Sequence, residues 1–186
     1  MAAIKEMVGS QMQKCFFPVN KGKPRVVCYP HVKYCLDACA EIFGLNKDLV
    51  YAISWKESHF NGDLRRYEPG FYSQYLEGKT KAQLKGFWPT QESEATERHG
   101  RATSWGVMQV LGQTARELGF EGHLVALSDP EVGAYWGCMY LEKKITALGT
   151  ELGIRAFNGS IKDKRTEEYL LGIESILKLK PYQPFL

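Results

Sequence analysis

Apolar residues recur at helical spacing on both sides of one stretch, residues 61–103, in which that periodicity is missing. The period of the flanking segments predicts helices, which we place near residues 30–43, in the segment after Asn46, and near residues 113–119, 128–149 and 166–179. The interrupting stretch is rich in glycine, proline and charged residues, and it predicts an irregular insertion with at most a short helix at residues 79–86. The pattern favours a mainly α-helical fold with at most a few short strands.

Capping residues mark the ends of several of these helices. Gly44 is a natural end for the first helix, and Asn46 is placed to cap the second. In the longest helix we expect Ser128 as N-cap, Pro130 in the first turn and Glu131 three residues after the cap, which is the pattern of a capping box.

The length and composition indicate a single domain. A chain of 186 residues with 44% hydrophobic residues can bury one substantial core. We expect residues 1–29 to form an N-terminal extension with a short helix at residues 1–14. Residues 45–160 should form the core domain that contains the insertion, and residues 161–186 a C-terminal helix and tail.

Charge and hydropathy exclude some classes of function. The net charge of +3 is small and dispersed, so we expect no nucleic-acid binding, although an anionic polymer would not be repelled. The chain has no run of 18 or more apolar residues, so we expect no membrane insertion. Residues 1–19 lack the pattern of a signal peptide, and the odd number of five cysteines favours a reduced compartment, so we expect synthesis in the cytoplasm.

Glu57 lies on the side of its helix that the apolar residues define as buried. Val50, Ile53, Glu57 and Phe60 follow one another at steps of three, four and three residues, which places them on one face. Burial and the nearby negative end of the helix dipole both favour a protonated carboxyl group. A raised pKa suits a general acid, but a carboxylate within a structural network is the other interpretation.

Two downstream motifs supply residues that suit a sugar-binding cleft. The stretch SWGVMQV, residues 104–110, contains Gly106, where the backbone can approach another group closely. The stretch RAFNGS, residues 155–160, ends with the turn signal Asn158-Gly159. Amide side chains match sugar hydroxyl and N-acetyl groups, whereas methionine and aromatic side chains offer an apolar surface to a sugar ring. Either stretch alone is also compatible with an ordinary helix boundary.

The order of these three motifs resembles the soluble lytic transglycosylase family, which is similar in fold to goose-type lysozyme. The match consists of Glu57-Ser58, then GVMQ at residues 106–109, then AFNG at residues 156–159. The resemblance implies a mainly α, lysozyme-like α+β domain that acts as a peptidoglycan lytic transglycosylase on the β-1,4 bond between N-acetylmuramic acid and N-acetylglucosamine. The partners it implies are peptidoglycan glycan strands, and we expect no cofactor.

The resemblance also implies roles for individual residues. Glu57 would be the single catalytic acid/base, which protonates the glycosidic oxygen and then takes a proton from the muramic acid 6-hydroxyl to leave a 1,6-anhydro end. The substrate-binding residues that we expect in the cleft are Ser58, Glu68, Trp105, Gly106, Met108, Gln109, Phe157 and Asn158.

Two features of the chain depart from the family pattern. Phe157 stands where the family usually has tyrosine, so another group must hold Glu57, or the chain is a catalytically weak wall-binding or virion module. The insertion resembles a segment of phage-associated members and brings Glu68. This residue could lie near Glu57 and raise its pKa, or activate water and make the protein a muramidase. Alternatively, it pairs with Arg65 or Arg66 and fixes the loop.

The cysteines allow a different chemistry. Cys28, His31, Cys35 and Cys39 are ligand types that zinc accepts, but Cys35 and Cys39 also fit an apolar helix face, and we expect no metal site. Without a signal peptide, the protein would reach the cell wall in a phage particle or by specialised export. Virion or secretion components would then be further partners.

Overall fold

The computed structural model describes residues 29–185, and this part of the chain is mainly helical. The predicted helix at residues 1–14 and Cys28 lie outside the described residues. The longer helices are α1 Tyr29–Ile42, α2 Lys47–Ser58, α3 Glu94–Arg101, α4 Gly112–Leu118, α5 Pro130–Leu148, α6 Thr150–Asn158 and α7 Lys164–Leu179. The strands are β1 Arg65–Tyr67, β2 Thr103–Trp105 and β3 Val110–Leu111. The predicted fold class, mainly α with a few short strands, is confirmed.

Helix α5 contacts several other elements of the fold. It packs against α1 and against α6, to which it is joined by Gly149. Helix α7 contacts both α6 and α2, so that the C-terminal helix returns to the helix that carries Glu57. Leu36, Ile53, Leu141 and Ile173 fill the space between these helices and are fully buried. Within residues 29–185 no helix is both long and apolar enough to cross a membrane.

The ends of α2 fix the position of Glu57. The side chain of Asn46 accepts a hydrogen bond from the backbone amide of Leu49 at 3.1 Å, which confirms the predicted cap. The helix ends at Ser58, and His59 and Phe60 follow with φ of 51° and 63°. Two successive left-handed residues turn the chain sharply, because this conformation cannot continue a right-handed helix. Glu57 therefore lies in the last turn of α2.

The three strands form one small antiparallel sheet in the order β1-β2-β3. Arg66 lies opposite Ser104, and Arg65 lies opposite Trp105. Residues directly opposite each other share a face of the sheet, and successive residues point to opposite faces. Arg66 and Ser104 therefore share one face, while the Arg65 guanidinium lies over the Trp105 ring on the other, 5.7 Å from its centroid.

The insertion is more ordered than the sequence predicted. It contains β1, the helical turns Pro69–Phe71 and Tyr72–Leu76, the 3-10 turn Lys81–Gln83 and the whole of α3. The expected helix at residues 79–86 is reduced to the single 3-10 turn. Helix α3 was not predicted, because its inward face is charged instead of apolar. Glu97 and Arg101 are fully buried, and the Glu97 carboxylate accepts hydrogen bonds at 2.8 Å from the Nε atoms of Arg101 and Arg116.

The start of α5 corrects the predicted cap by one residue. Asp129, not Ser128, is the N-cap, and its Oδ1 accepts hydrogen bonds from the amides of Glu131 at 2.9 Å and Val132 at 3.4 Å. Ser128 instead ends the 3-10 turn Leu124–Ser128, which leaves Asp129 with the extended backbone of a cap. The predicted capping box is therefore wrong, whereas Pro130 does occupy the first turn.

Candidate active site

Glu57 is held by a hydrogen bond from the far end of the chain. The hydroxyl group of Tyr169, in α7, donates to Glu57 Oε1 at 2.6 Å. Tyr169 is itself only 5% exposed, and it lies on a helix that packs against α2. The hydroxyl that is missing at Phe157 has a counterpart here, on a different helix.

The surroundings of Glu57 pull its pKa in two directions, and burial is the larger effect. Loss of solvent raises the pKa of the Glu57 carboxyl above its ordinary value. The Tyr169 hydrogen bond and the positive charges of Arg66 and Lys56 act against this rise, and the negative charge of Glu68 adds to it. The group therefore tends to keep its proton, yet donors and cations are in place to stabilise it once the proton leaves.

Glu68 lies on the sheet side of the same region. Its carboxylate accepts hydrogen bonds from Arg66 Nε at 2.6 Å and from the Ser104 hydroxyl at 3.1 Å. Both partners belong to the face of the sheet that carries Arg66, and the charges of Arg66 and Glu68 are each felt by Glu57. Glu68 thus pairs with Arg66, one of the two arginines expected, and its negative charge also raises the pKa of Glu57.

The GVMQ segment joins three parts of the fold. The buried Ser58 hydroxyl donates to the Val107 carbonyl at 2.7 Å, which ties the end of α2 to this segment. The Gln109 amide nitrogen donates to the Leu64 carbonyl at 3.0 Å, just before β1. Gly106 has φ of +72°, and a Cβ there would lie 2.1 Å from the Leu127 carbonyl oxygen, so only glycine fits.

These contacts change the roles expected for three residues. Ser58 is 5% exposed and its hydroxyl is engaged by backbone carbonyls, so it supports the site instead of facing a sugar. Gln109 is 8% exposed, its nitrogen is engaged within the loop, and its Oε1 is buried with no hydrogen-bond partner among the described residues. Gly106 is required by the close approach of the backbone to Leu127 and not by a ligand.

Three side chains that we expected in the cleft lie in the core instead. Met108 is fully buried, with its sulfur 3.9 Å from Cys138 Sγ on α5. The Trp105 indole donates to the Gly100 carbonyl at 2.9 Å and is 8% exposed. Phe157 is 9% exposed and packs against the Tyr140 ring, with centroids 5.2 Å apart. Their apolar surface is used to pack the domain, and it is not available as a platform for a sugar ring.

Asn158 is the one expected substrate-binding residue of the third motif that is exposed. It is the last residue of α6, so its amide remains accessible to a ligand.

Of the residues considered as zinc ligands, His31, Cys35 and Cys39 lie close together in α1. His31 Nε2 lies 3.8 Å from Cys35 Sγ, and burial raises the pKa of the Cys35 and Cys39 thiols to about 12. Among residues 29–185, no group of three or more histidine, cysteine, aspartate or glutamate side chains is arranged to hold a metal ion. Cys28, the fourth residue considered, lies outside this range.

The fold and the site define a class of protein. The domain is mainly helical and has a small three-stranded sheet. A partly buried glutamate lies at the end of a helix, near both the helices and the sheet. This arrangement is that of a lysozyme-like domain. The family described as "Transglycosylase SLT domain" matches residues 35–169, and the chain belongs to this family. The family is one of lytic transglycosylases that act on peptidoglycan. No curated protein and no solved structure gives a significant match to the chain.

Tyr169 is a residue of the candidate site that sequence reasoning missed. It lies on the inward face of α7 with Thr166 and Ile173, at steps of three and four residues, and all three are buried. A buried tyrosine usually needs a hydrogen-bond partner for its hydroxyl, so a tyrosine on an apolar helical face is the signal that was available. What the sequence could not supply is the identity of that partner, 112 residues away.

Proposed function

We propose that this protein is a lytic transglycosylase that cleaves the β-1,4 bond between N-acetylmuramic acid and N-acetylglucosamine, with Glu57 as its single general acid and base. The observation that carries the proposal is the hydrogen bond from the buried Tyr169 hydroxyl to a partly buried Glu57 carboxyl. Burial favours the protonated group, which is the state that a general acid needs at the start of the reaction.

In the first step, Glu57 donates its proton to the glycosidic oxygen as the bond to the muramic acid C1 breaks. The carboxylate that forms accepts the Tyr169 hydrogen bond and lies in the positive field of Arg66 and Lys56. These interactions favour the ionised carboxylate, so they strengthen as the transition state develops. Interactions of this kind lower the barrier, because they bind the transition state better than the ground state.

In the second step, the Glu57 carboxylate acts as a base. It accepts the proton of the muramic acid 6-hydroxyl while that oxygen attacks C1 and closes the 1,6-anhydro ring. The proton lost in the first step is regained in the second, and no water is consumed. One carboxyl group is therefore sufficient for the whole cycle.

Among the other residues of the three motifs, we distinguish those that support the loop behind Glu57 from one that contacts the sugar. We assign Ser58, Gly106 and Gln109 to the support of the loop behind Glu57, because their polar atoms or backbone are engaged within the protein. We assign Asn158, which is exposed, to contact with the sugar. The substrate in this proposal is the glycan strands of peptidoglycan.

The proposal is tested by clearing of purified cell walls and by mass spectrometry of the released fragments. We expect wild type to release fragments with 1,6-anhydro ends, and Glu57→Gln to lower the rate by about 10²- to 10⁴-fold, the usual contribution of general acid–base catalysis. Glu174→Gln, an exposed change on α7, is the matched control and should clear walls at the wild-type rate. Equal clearing by wild type and Glu57→Gln would overturn the assignment.

A second candidate is a muramidase, which hydrolyses the same bond with Glu68 as the base that activates water. It is favoured by the placement of Glu68, whose charge acts on Glu57 and whose carboxylate is fixed by Arg66 and Ser104. This reaction leaves reducing ends instead of anhydro ends. Glu68→Gln then separates the candidates. A transglycosylase keeps its anhydro products with this variant, whereas a muramidase that uses Glu68 loses its reducing-end products.

The alternative of a catalytically weak wall-binding or virion module is distinguished by the same assay. It requires binding to walls without release of fragments by wild type. The hydroxyl that Tyr169 supplies to Glu57 weighs against the loss of chemistry that Phe157 suggested. The route to the wall, in a phage particle or by specialised export, stays a prediction.

A further inference from the structure

Lys56 lies beside Glu57 and Tyr169 without belonging to any of the three motifs. It precedes Glu57 in the last turn of α2, and its side chain crosses to α7. There its ammonium group lies over the face of the Tyr169 ring, 5.5 Å from the ring centroid. A cation in this position is attracted by the ring, and the attraction holds the ring as well as the cation.

The place where Lys56 crosses α7 is a glycine. A Cβ built on Gly172 would lie 2.8 Å from Lys56 Nζ and 3.1 Å from its Cε, so an alanine there would make the end of this flexible side chain move. Gly172 lies inside α7 and is not among the residues with positive φ, so its backbone does not require glycine. Glycine inside a helix is less stable than alanine. The surface of α7 therefore has a notch at Gly172, a place without a side chain, and the end of Lys56 lies against it.

We propose that Lys56 and the notch at Gly172 form a positioning device that holds the Tyr169 ring, and through its hydroxyl the Glu57 carboxyl, in the geometry used for proton transfer. Lys56 does not touch the substrate in this account. It acts through Tyr169 and through its charge, and the proposal rests on the function proposed for Glu57.

The direction of the effect follows from the charges around Glu57. The groups that act on it are Lys56 on its own helix, Tyr169 on α7, and Arg66 and Glu68 beside the sheet. Lys56 favours the ionised carboxyl, so its removal raises the pKa of Glu57 and makes it a weaker acid. Glu57 must begin protonated, so the alkaline limb of the pH–rate profile moves to higher pH while the maximal rate falls.

Three variants separate charge from position. Lys56→Gln removes the charge, Lys56→Arg keeps a cation that also binds aromatic faces, and Gly172→Ala keeps the lysine but closes the notch. Lys178→Gln, an exposed change on α7, is the matched control. We measure kcat/KM on purified peptidoglycan across pH. Independently of activity, we follow the titration of the Glu57 carboxyl by ¹³C NMR, with its signal assigned from Glu57→Gln.

We expect Lys56→Gln to lower kcat/KM about two- to fivefold, the size of an exposed cation–π contact, and to move the Glu57 titration and the alkaline limb to higher pH. Lys56→Arg should restore both. Gly172→Ala should shift the titration in the same direction as Lys56→Gln, although thermal unfolding shows an equally or more stable helix. High salt should reduce the difference between wild type and Lys56→Gln, because Lys56 is exposed.

Two results would overturn the inference. One is a Glu57 titration in Lys56→Gln that matches that of Lys178→Gln. The other is a Gly172→Ala variant whose titration and pH profile are those of wild type. If wild type cleaves no peptidoglycan, the proposed function fails, but the NMR titrations still decide whether Lys56 and Gly172 act on Glu57.

Discussion

The hydroxyl group of Tyr169 can be removed by one substitution, which tests the organisation of the site. It donates to Glu57 Oε1 at 2.6 Å from a ring that is 5% exposed. Tyr169→Phe removes the hydroxyl and keeps the ring, so the packing between α7 and α2 is preserved. The change therefore isolates the hydrogen bond from the rest of the contact.

A hydrogen bond to a charged group contributes roughly 1.5–3 kcal/mol. This bond favours the ionised form of Glu57, so it is strongest when the proton has left. If the whole of it is expressed in the transition state, its loss lowers kcat/KM by about 10- to 150-fold. The pKa of Glu57 also rises, because the bond that stabilised the carboxylate is gone. A general acid with a higher pKa stays protonated up to a higher pH, so the alkaline limb of the pH–rate profile moves to higher pH.

The assay is the initial rate of fragment release from purified peptidoglycan, measured across pH for wild type and variant. Tyr182→Phe is the matched control. Tyr182 is also a buried side chain, and its hydroxyl donates to a carboxylate, Asp48, at 3.1 Å. Asp48 lies at the other end of α2, about 14 Å along the helix axis from Glu57. The control should lose some stability and keep the wild-type pH profile.

The reasoning is refuted if Tyr169→Phe retains the wild-type kcat/KM and pH profile. It is also refuted if Tyr182→Phe produces the same shift, since the effect would then come from general loosening of α2. A variant that binds walls normally but cleaves slowly, with the shifted alkaline limb, is the expected result.

Three further predictions concern stability, each followed by thermal unfolding. Burial raises the pKa of Glu57, so the folded state disfavours its ionised form, and the wild type loses stability as pH rises through that pKa. Glu57→Gln should therefore unfold at a higher temperature than wild type at neutral pH, with the gain disappearing in acid; an unchanged melting temperature would contradict this. Glu97→Gln leaves buried arginines uncompensated and should cost about 3–5 kcal/mol, whereas Glu94→Gln, on the exposed side of the same helix, should leave the melting temperature close to that of wild type. Gly106→Ala should cost at least about 1–3 kcal/mol from its positive φ and the approach to Leu127, and a fully stable variant would show that the loop can move.

The helices were predictable because their signal is local. Apolar residues at helical spacing define one face of a helix wherever it packs, and Asn46 caps α2 through a contact with a residue three positions on. The same rule failed for α3, because its inward residues Glu97 and Arg101 are charged. Their burial depends on Arg116, which belongs to another helix, and no local pattern contains that information. The predicted N-cap of α5 was wrong by one residue for a similar reason. The turn before the helix decides which residue has the extended backbone of a cap.

For the site, the helical spacing of apolar residues placed Glu57 correctly on the inward side of α2. That spacing could not distinguish a cleft from a core. Met108 and Phe157 belong to the motifs and Trp105 directly precedes one of them, yet all three pack inward, because other elements of the fold cover them.

The sequence by itself determined the helical class of the fold, the face on which Glu57 lies and, through its three motifs, the family. Only the tertiary structure decided what surrounds the carboxyl: the Tyr169 hydroxyl, the Lys56 ammonium over its ring, and the pair of Arg66 and Glu68. The physical reason is that a helix period or a motif specifies direction within one element. The pKa of a carboxyl depends on burial and on charges from every element around it, and those are set only when the chain has folded.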